Sequence, residues 1–334
     1  MSEINFGISY FGNRDIKHVE KDLLELKKIG FKKIVHTYSE NDFKFYEKTM
    51  KDIVELSENL GFETWIDPWG VGGIFGGEAF SGFLQDNMSE AQISNLERSL
   101  GSVCFYSEKF RDFIKKWIDS VKFIGGKIIF WDEPHFHLFN SQNNFPNEWS
   151  CRCNRCTEKF KKEFHYEMPL IFNEDIVKFR NDSILDFFKF VTSYAEEIGL
   201  KNYLCFLPEE SKEIGITNYE DISSLNNIEN VGSDPYWYAF NKPIESFVEE
   251  TTKKISEISK KYSKDNHIWI QSFKVPNERE EEIYTAFEII KNYPIKDVLF
   301  WGTEGCKIIS SISSDNPEKV WEIIKNIVKN NDSM

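Results

Sequence analysis

The stretch Gly125-Gly126-Lys127-Ile128-Ile129-Phe130-Trp131-Asp132-Glu133-Pro134 spells out one strand with both of its boundaries. Two glycines close the preceding segment, an apolar run of strand length follows, and two carboxylates and a proline end it. An unbroken apolar run is buried on both faces, as in the interior of a parallel sheet. Amphipathic, helix-length segments flank it at 108–124 and about 175–198.

The same unit recurs in both directions. Short apolar runs lie at 4–11, 33–37 and 63–67 before it, and at 202–206, 231–233, 268–272 and 298–301 after it. Helical periodicity fills 15–29, the segment leading to Gly61, 243–263, 278–292 and 317–329. Strands alternating with helices give a parallel sheet, either doubly wound or closed. No G-x-G-x-x-G follows the first run, and polar residues end nearly every run: Tyr38-Ser39, Asp67-Pro68, Asp132-Glu133, Glu209-Glu210, Asp234-Pro235, Gln271-Ser272 and Thr303-Glu304. A doubly wound sheet needs such endings only at its switch point, whereas a barrel gathers them all into one ring. The expectation is a single (β/α)8 TIM barrel over residues 1–334, with an inserted metal-binding loop at about 135–173 after strand four. The 334 residues suffice, since such a barrel takes about 250 plus insertions.

The formal charge of −14 argues against nucleic acid, because phosphate recognition wants a basic face. No run of about 18 apolar residues is present, so no membrane span is expected, and the first residues lack the pattern of a secretion signal. A cytoplasmic protein is the expectation; nothing in the sequence fixes its oligomeric state. The Gly-rich segment from Gly70 to Gly77 lacks the Lys-Ser/Thr of a phosphate loop. It is expected to fold over the barrel mouth as far as Phe80, with Phe75 as an apolar tip.

Six cysteines in such a chain point to metal or free thiols rather than disulfides. Cys151, Cys153 and Cys156 put three thiols within six residues, and a turn can aim all three at one point. Zinc wants a tetrahedral fourth ligand. Cys104 precedes the helix leading into strand four and shares its rim, so a structural Zn2+ held by Cys104, Cys151, Cys153 and Cys156 is expected. Cys205 falls inside a strand and reads as core.

Cys104-Phe105-Tyr106-Ser107 before a helix, a Trp-Asp-Glu strand end, then C-x-C-x-x-C followed by Lys159-Phe160 resembles the glycoside hydrolase family 42 β-galactosidases. The resemblance covers about 101–165 and implies a four-cysteine zinc site beside strand four. Elsewhere, as at Asp67-Pro68-Trp69-Gly70, the motifs depart from that family, which implies a divergent relative rather than a β-galactosidase. Barrel glycosidases of the large retaining clan end strand four in Asn-Glu, with Glu as general acid/base. By that resemblance Glu133 is the acid/base, with Asp132 where the clan has Asn.

Hydrolysis of a glycosidic bond by such an enzyme needs two carboxyls flanking it. The clan's nucleophile ends strand seven, where this chain has Gln271. Glu304 on strand eight, Asp234 on strand six and Asp67 on strand three are therefore the candidate partners, each of which could instead bind sugar hydroxyls, and Asp132 is itself a candidate if the register differs by one. Asp67, Gln271 and His36 are candidate hydroxyl binders, and Trp69, Trp131, Tyr236, Trp237 and Trp301 are candidate stacking surfaces for a carbohydrate substrate. His135 and His137 also lie near the mouth. Two other readings remain open at this point. Glu133, Asp234 and Glu304 resemble the carboxylate ligands of metal-dependent sugar isomerase or epimerase barrels, and a barrel that only binds carbohydrate would share the same ring.

Overall fold

The computed structural model describes residues 4–139 and 145–331; positions 140–144 of the expected insertion lie outside the described residues. Eight parallel strands close into a barrel: β1 (Asn5–Tyr10), β2 (Lys33–Thr37), β3 (Glu63–Asp67), β4 (Ile128–Asp132), β5 (Lys201–Phe206), β6 (Asn230–Ser233), β7 (Asp265–Gln271) and β8 (Asp297–Trp301). Each strand pairs with its sequence neighbours, and β8 returns to β1. The helices behind them are α1 (Ile16–Ile29), α2 (Glu47–Asn59), α3 (Glu108–Phe123), α4 (Glu174–Glu197), the short α5 (Tyr219–Ser223), α6 (Ile244–Tyr262), α7 (Glu282–Ile290) and α8 (Pro317–Asn331). The expected (β/α)8 barrel is the fold.

Local chemistry sets the helix ends. In α1, the Asp15 side chain accepts from the amides of Lys17 and His18, and Gly30 ends the helix at φ 117°. Val19, Leu23 and Leu26 form the stripe that α1 buries against the sheet.

Alternation along each strand divides the core in two. Ile8, Ile34, Ile66, Ile129, Leu204 and Ile268 point outward under the helices. Val35, Trp65, Phe130, Trp269 and Leu299 point inward and fill the barrel. Trp65 sits 5.7 Å from Phe130 and 5.0 Å from Tyr203, ring centre to ring centre. At the N-terminal end, buried Lys33 pairs with Glu63 at 2.6 Å and Asp297 at 3.2 Å. That end is neutralised and shut, which leaves the C-terminal end for chemistry.

Two excursions build a rim over that end. The one after β3 carries the Gly-rich loop and an antiparallel hairpin of Ala91–Ile93 with Ser99–Val103. The one after β4 carries the helix Asn154–Phe164. The Gly-rich loop lies at the mouth: Gly70 N–H donates to Gly76 O, Gly76 N–H to Asp132 O, and His135 N–H to Ile74 O. The expected tip is reversed. Phe75 is buried against Trp131 and Phe187, and Phe80 is the loop's exposed aromatic, at 87%. Trp131 points out of the barrel, so its neighbour in the loop must be apolar.

Candidate active site

The pleat of β3 sends Trp65 inward, Ile66 outward and Asp67 inward; on β4, Phe130 and Asp132 face in while Trp131 faces out. Asp132 is followed by Glu133 at φ 40°, whose N–H is held by Cys205 O at 3.1 Å. That left-handed residue turns the chain sharply out of the strand and sets the second carboxylate beside the first. Asp234 follows β6 and is buried. The barrel thus brings Asp67, Asp132, Glu133 and Asp234 together.

Burial, followed by the charges of Glu133 and Glu78, pushes Asp67 well above the usual carboxylate range. Burial also raises Asp132, with Asp67, Glu133 and Glu78 adding to it. Burial raises Asp234, and the charges of Glu133 and Asp132 add to it. Several polar atoms here have no protein partner: both oxygens of Asp67, Oδ1 of Asp234, Ser9 Oγ, Thr37 Oγ1, Ser272 Oγ and Trp69 Nε1. Buried groups left this way belong to a ligand or to water.

Glu78 is the carboxylate that strand-end reasoning missed. It stands on the Gly-rich loop, exposed as a residue, while its crowded carboxyl is raised by burial and by Glu133. Only the return of that loop onto the mouth brings it there, and no motif announces the return.

Gly76 is the point of closest approach. A Cβ at this position would lie 2.5 Å from Asp132 Oδ2 and 2.9 Å from Glu133 Oε2. Beside it runs a groove of about 300 Å³ whose lining includes Gly73, Gly77, Ser102, Glu133, His135 and His137.

The aromatic candidates divide. Trp69 packs 6.1 Å from Phe11, Trp301 packs 5.6 Å from both Phe11 and Trp269, and Tyr236 stands edge-on to Phe273 at 5.0 Å. All three belong to the barrel-interior cluster or pack on it. Three other expectations are corrected by strand parity and helix packing. Trp131 lies outside the barrel with Nε1 donating to Asn202 Oδ1 at 2.9 Å. Trp237 packs outward and donates to Glu282 on α7 at 2.8 Å. His36 faces α2, 2.8 Å from Ser57 Oγ, and burial pulls it down to about 3, so it stays neutral.

Gln271 faces the interior but is fully engaged, accepting from Tyr238 N–H at 3.0 Å and donating to Phe273 O at 2.9 Å. It shapes the loop after β6. Glu304 sits exposed on the turn after β8, at φ 52°, and lines a separate hollow with Tyr10, Asn13 and Asp22. It is not brought to the carboxylate ring, because the turn carries it past the rim.

The four cysteines converge beside this site. Their sulfurs all lie within 4.8 Å of one another, with Cys104 Sγ 3.5 Å from both Cys153 and Cys156. Tetrahedral ligands at about 2.3 Å from zinc stand about 3.8 Å apart, so the set fits a four-coordinate ion. Hydrogen bonds from Cys104, Cys151 and Cys156 pull the Cys153 thiol far down, while burial raises Cys151. Among the described residues, this is the one group of His, Cys, Asp or Glu side chains placed to hold a metal ion. Gln92 links it to the groove: Oε1 accepts from Ser150 Oγ at 2.7 Å and from His137 N–H at 3.2 Å.

No family model and no curated protein sequence matches this chain. Solved structures do. The endo-1,4-β-mannanase from Rhizomucor miehei superposes with a TM-score of 0.63 at 10% identity, covering 98% of this chain and 95% of that one. The endo-β-1,4-mannanase from Thermotoga petrophila gives 0.61 at 10% identity, covering 99% and 77%. A 3-keto-D-glucoside 4-epimerase from E. coli gives 0.52 at 12% identity, covering 98% and 100%. The likeness is one of fold. No helix among the described residues is long and apolar enough to cross a membrane.

Proposed function

We propose that the chain is a glycoside hydrolase, with Glu133 and Asp234 as its working pair and a carbohydrate as its substrate. The observation that carries this reading is the set of strand-end acids at the barrel mouth: Glu133 lines the groove, Asp67, Asp132 and Asp234 are buried, and oxygens of Asp67 and Asp234 meet no protein partner. The reaction requires one carboxyl that carries a proton and a partner that is ionised. Glu133, on the groove, protonates the glycosidic oxygen; Asp234, whose buried carboxyl is raised, gives up its proton within the acid cluster before it attacks the anomeric carbon. Glu133 then takes a proton from the water that releases the sugar.

The other mouth groups bind. Asp67 and Trp69 offer unpartnered polar atoms, and Trp69, Tyr236 and Trp301 offer ring faces. The four cysteines hold zinc as a structural ion that fixes the hairpin and the strand-four loop. The layout around 101–165 supports a divergent relation to glycoside hydrolase family 42. Mannanases and an epimerase among the structural neighbours agree with a sugar substrate, and an isomerase built on Glu133, Asp234 and Glu304 would need Glu304 in the ring. Six buried, unpaired thiols fit a reducing cytoplasm.

The test is Glu133→Gln assayed on glycosides with poor and with very acidic leaving groups. Turnover of the poor leaving group falls about 10²-fold or more, the size of a general-acid contribution, and the other falls far less. Near-wild-type turnover of the poor leaving group removes Glu133 from the role.

A further inference from the structure

We propose that the sugar this site takes carries a free amino group, so that the substrate class is an unacetylated hexosamine glycan. The proposal rests on the carbohydrate reading above and deepens it. Hydrolysis of a neutral sugar needs two carboxyls, and this mouth holds four: buried Asp67, Asp132 and Asp234 at strand ends, and Glu133, whose carboxylate lies with that of Asp132 against Gly76 on the groove. Among the described residues no cation pairs with Asp67, Asp132, Glu133 or Asp234, although the rest of the molecule pairs many of its surface charges. The lining of the groove includes no Lys or Arg, and Lys274, which tempers Glu78, is exposed at the rim.

Buried acids without a counter-charge are costly to ionise and hold protons in the free protein; a cationic ligand supplies the counter-charge that lets them ionise. The unpartnered atoms say what kind. Asp67 is fully buried with both oxygens unbonded, and Asp234 adds Oδ1. These acceptors want donors. A hydroxyl brings one O–H donor, whereas an ammonium brings three N–H donors together with the missing charge. A bare metal ion fits less well, because the described groups placed to ligate one are the cysteines. The aromatic lining agrees as well: Phe11, Tyr236 and Trp301 belong to the barrel-interior cluster and Trp69 packs on it, and aromatic faces attract an organic cation. The formal charge of −14 would draw a polycationic glycan toward the protein.

The experiment compares matched ligands on the full-length protein: oligomers of glucosamine and of galactosamine against their 2-hydroxy and 2-acetamido counterparts. Calorimetric binding is measured at about pH 6, where an amine as basic as an α-amino group is charged, and again at about pH 9, where it is not. A free-amine ligand should bind ~10-fold tighter or more than its hydroxyl counterpart, the size of a charged hydrogen bond. That ratio should collapse at the higher pH, and Asp67→Asn should lower it at pH 6. Equal or weaker binding of every amine ligand, or a preference that survives at pH 9, overturns the proposal. Parallel turnover assays separate the two readings. Hydrolysis of neutral glycosides without amine preference removes this inference and leaves the hydrolase; amine-selective binding without hydrolysis does the reverse.

Discussion

Gly76 donates its backbone N–H to the carbonyl oxygen of Asp132 at 3.1 Å, with its Cα turned toward the Asp132 and Glu133 carboxylates. Loop and strand end are thereby one object. The Gly-rich segment is the wall that fixes where two of the mouth acids sit.

Gly76→Ala follows directly from that contact. The new methyl would stand 2.5 Å from Asp132 Oδ2, and carboxylate tips are the atoms free to move. The fold should survive with a small loss of stability, while turnover falls about 10²-fold through misplacement of the acids. Thermal unfolding and kcat on the same preparation check it.

Zinc should be present at about one per chain in freshly purified protein. Cys153→Ser should lower that content and destabilise the hairpin, since metal binding contributes to folding. Through Gln92 the loss reaches His137 and the groove. Elemental analysis with hydrogen exchange of residues 91–103 reads both effects, and metal-free wild-type protein would refute the site.

Asp67→Asn should stabilise the protein at neutral pH. Its folded value is raised, so the native state holds a proton that the unfolded chain releases above about 3.9. Native stability from this group therefore declines as pH rises from about 4 through the folded value. The amide escapes that loss, so the variant's gain in Tm should grow from pH 4 upward and vanish below it. Melting curves across that range check the sign, and a gain confined to acid pH contradicts it.

Trp131→Ala and Trp69→Ala should behave oppositely. Trp131 is fully buried behind the barrel wall, and its truncation should cost about 3–5 kcal/mol of stability. Trp69 is only partly buried at the mouth, so its loss should raise KM with a smaller stability change. Denaturant midpoints and steady-state kinetics of the two variants decide.

The sequence alone determined the architecture and the thiol cluster. Both are written in local patterns: apolar runs of strand length such as 128–131, amphipathic segments between them, and a C-x-C-x-x-C whose spacing already forces three sulfurs together. Strand ends also named Asp67, Asp132, Glu133 and Asp234, because a closed barrel has one place to put them. Direction was the harder matter. Trp131 and His36 sit one residue from inward-facing neighbours, and a single step of strand parity turns a side chain from the mouth to the helices. Glu304 was lost to a left-handed turn that carries it past the rim, and Glu78 was gained from a loop that returns across the barrel. Those outcomes depend on where separate segments meet in space, so only the tertiary structure decided them.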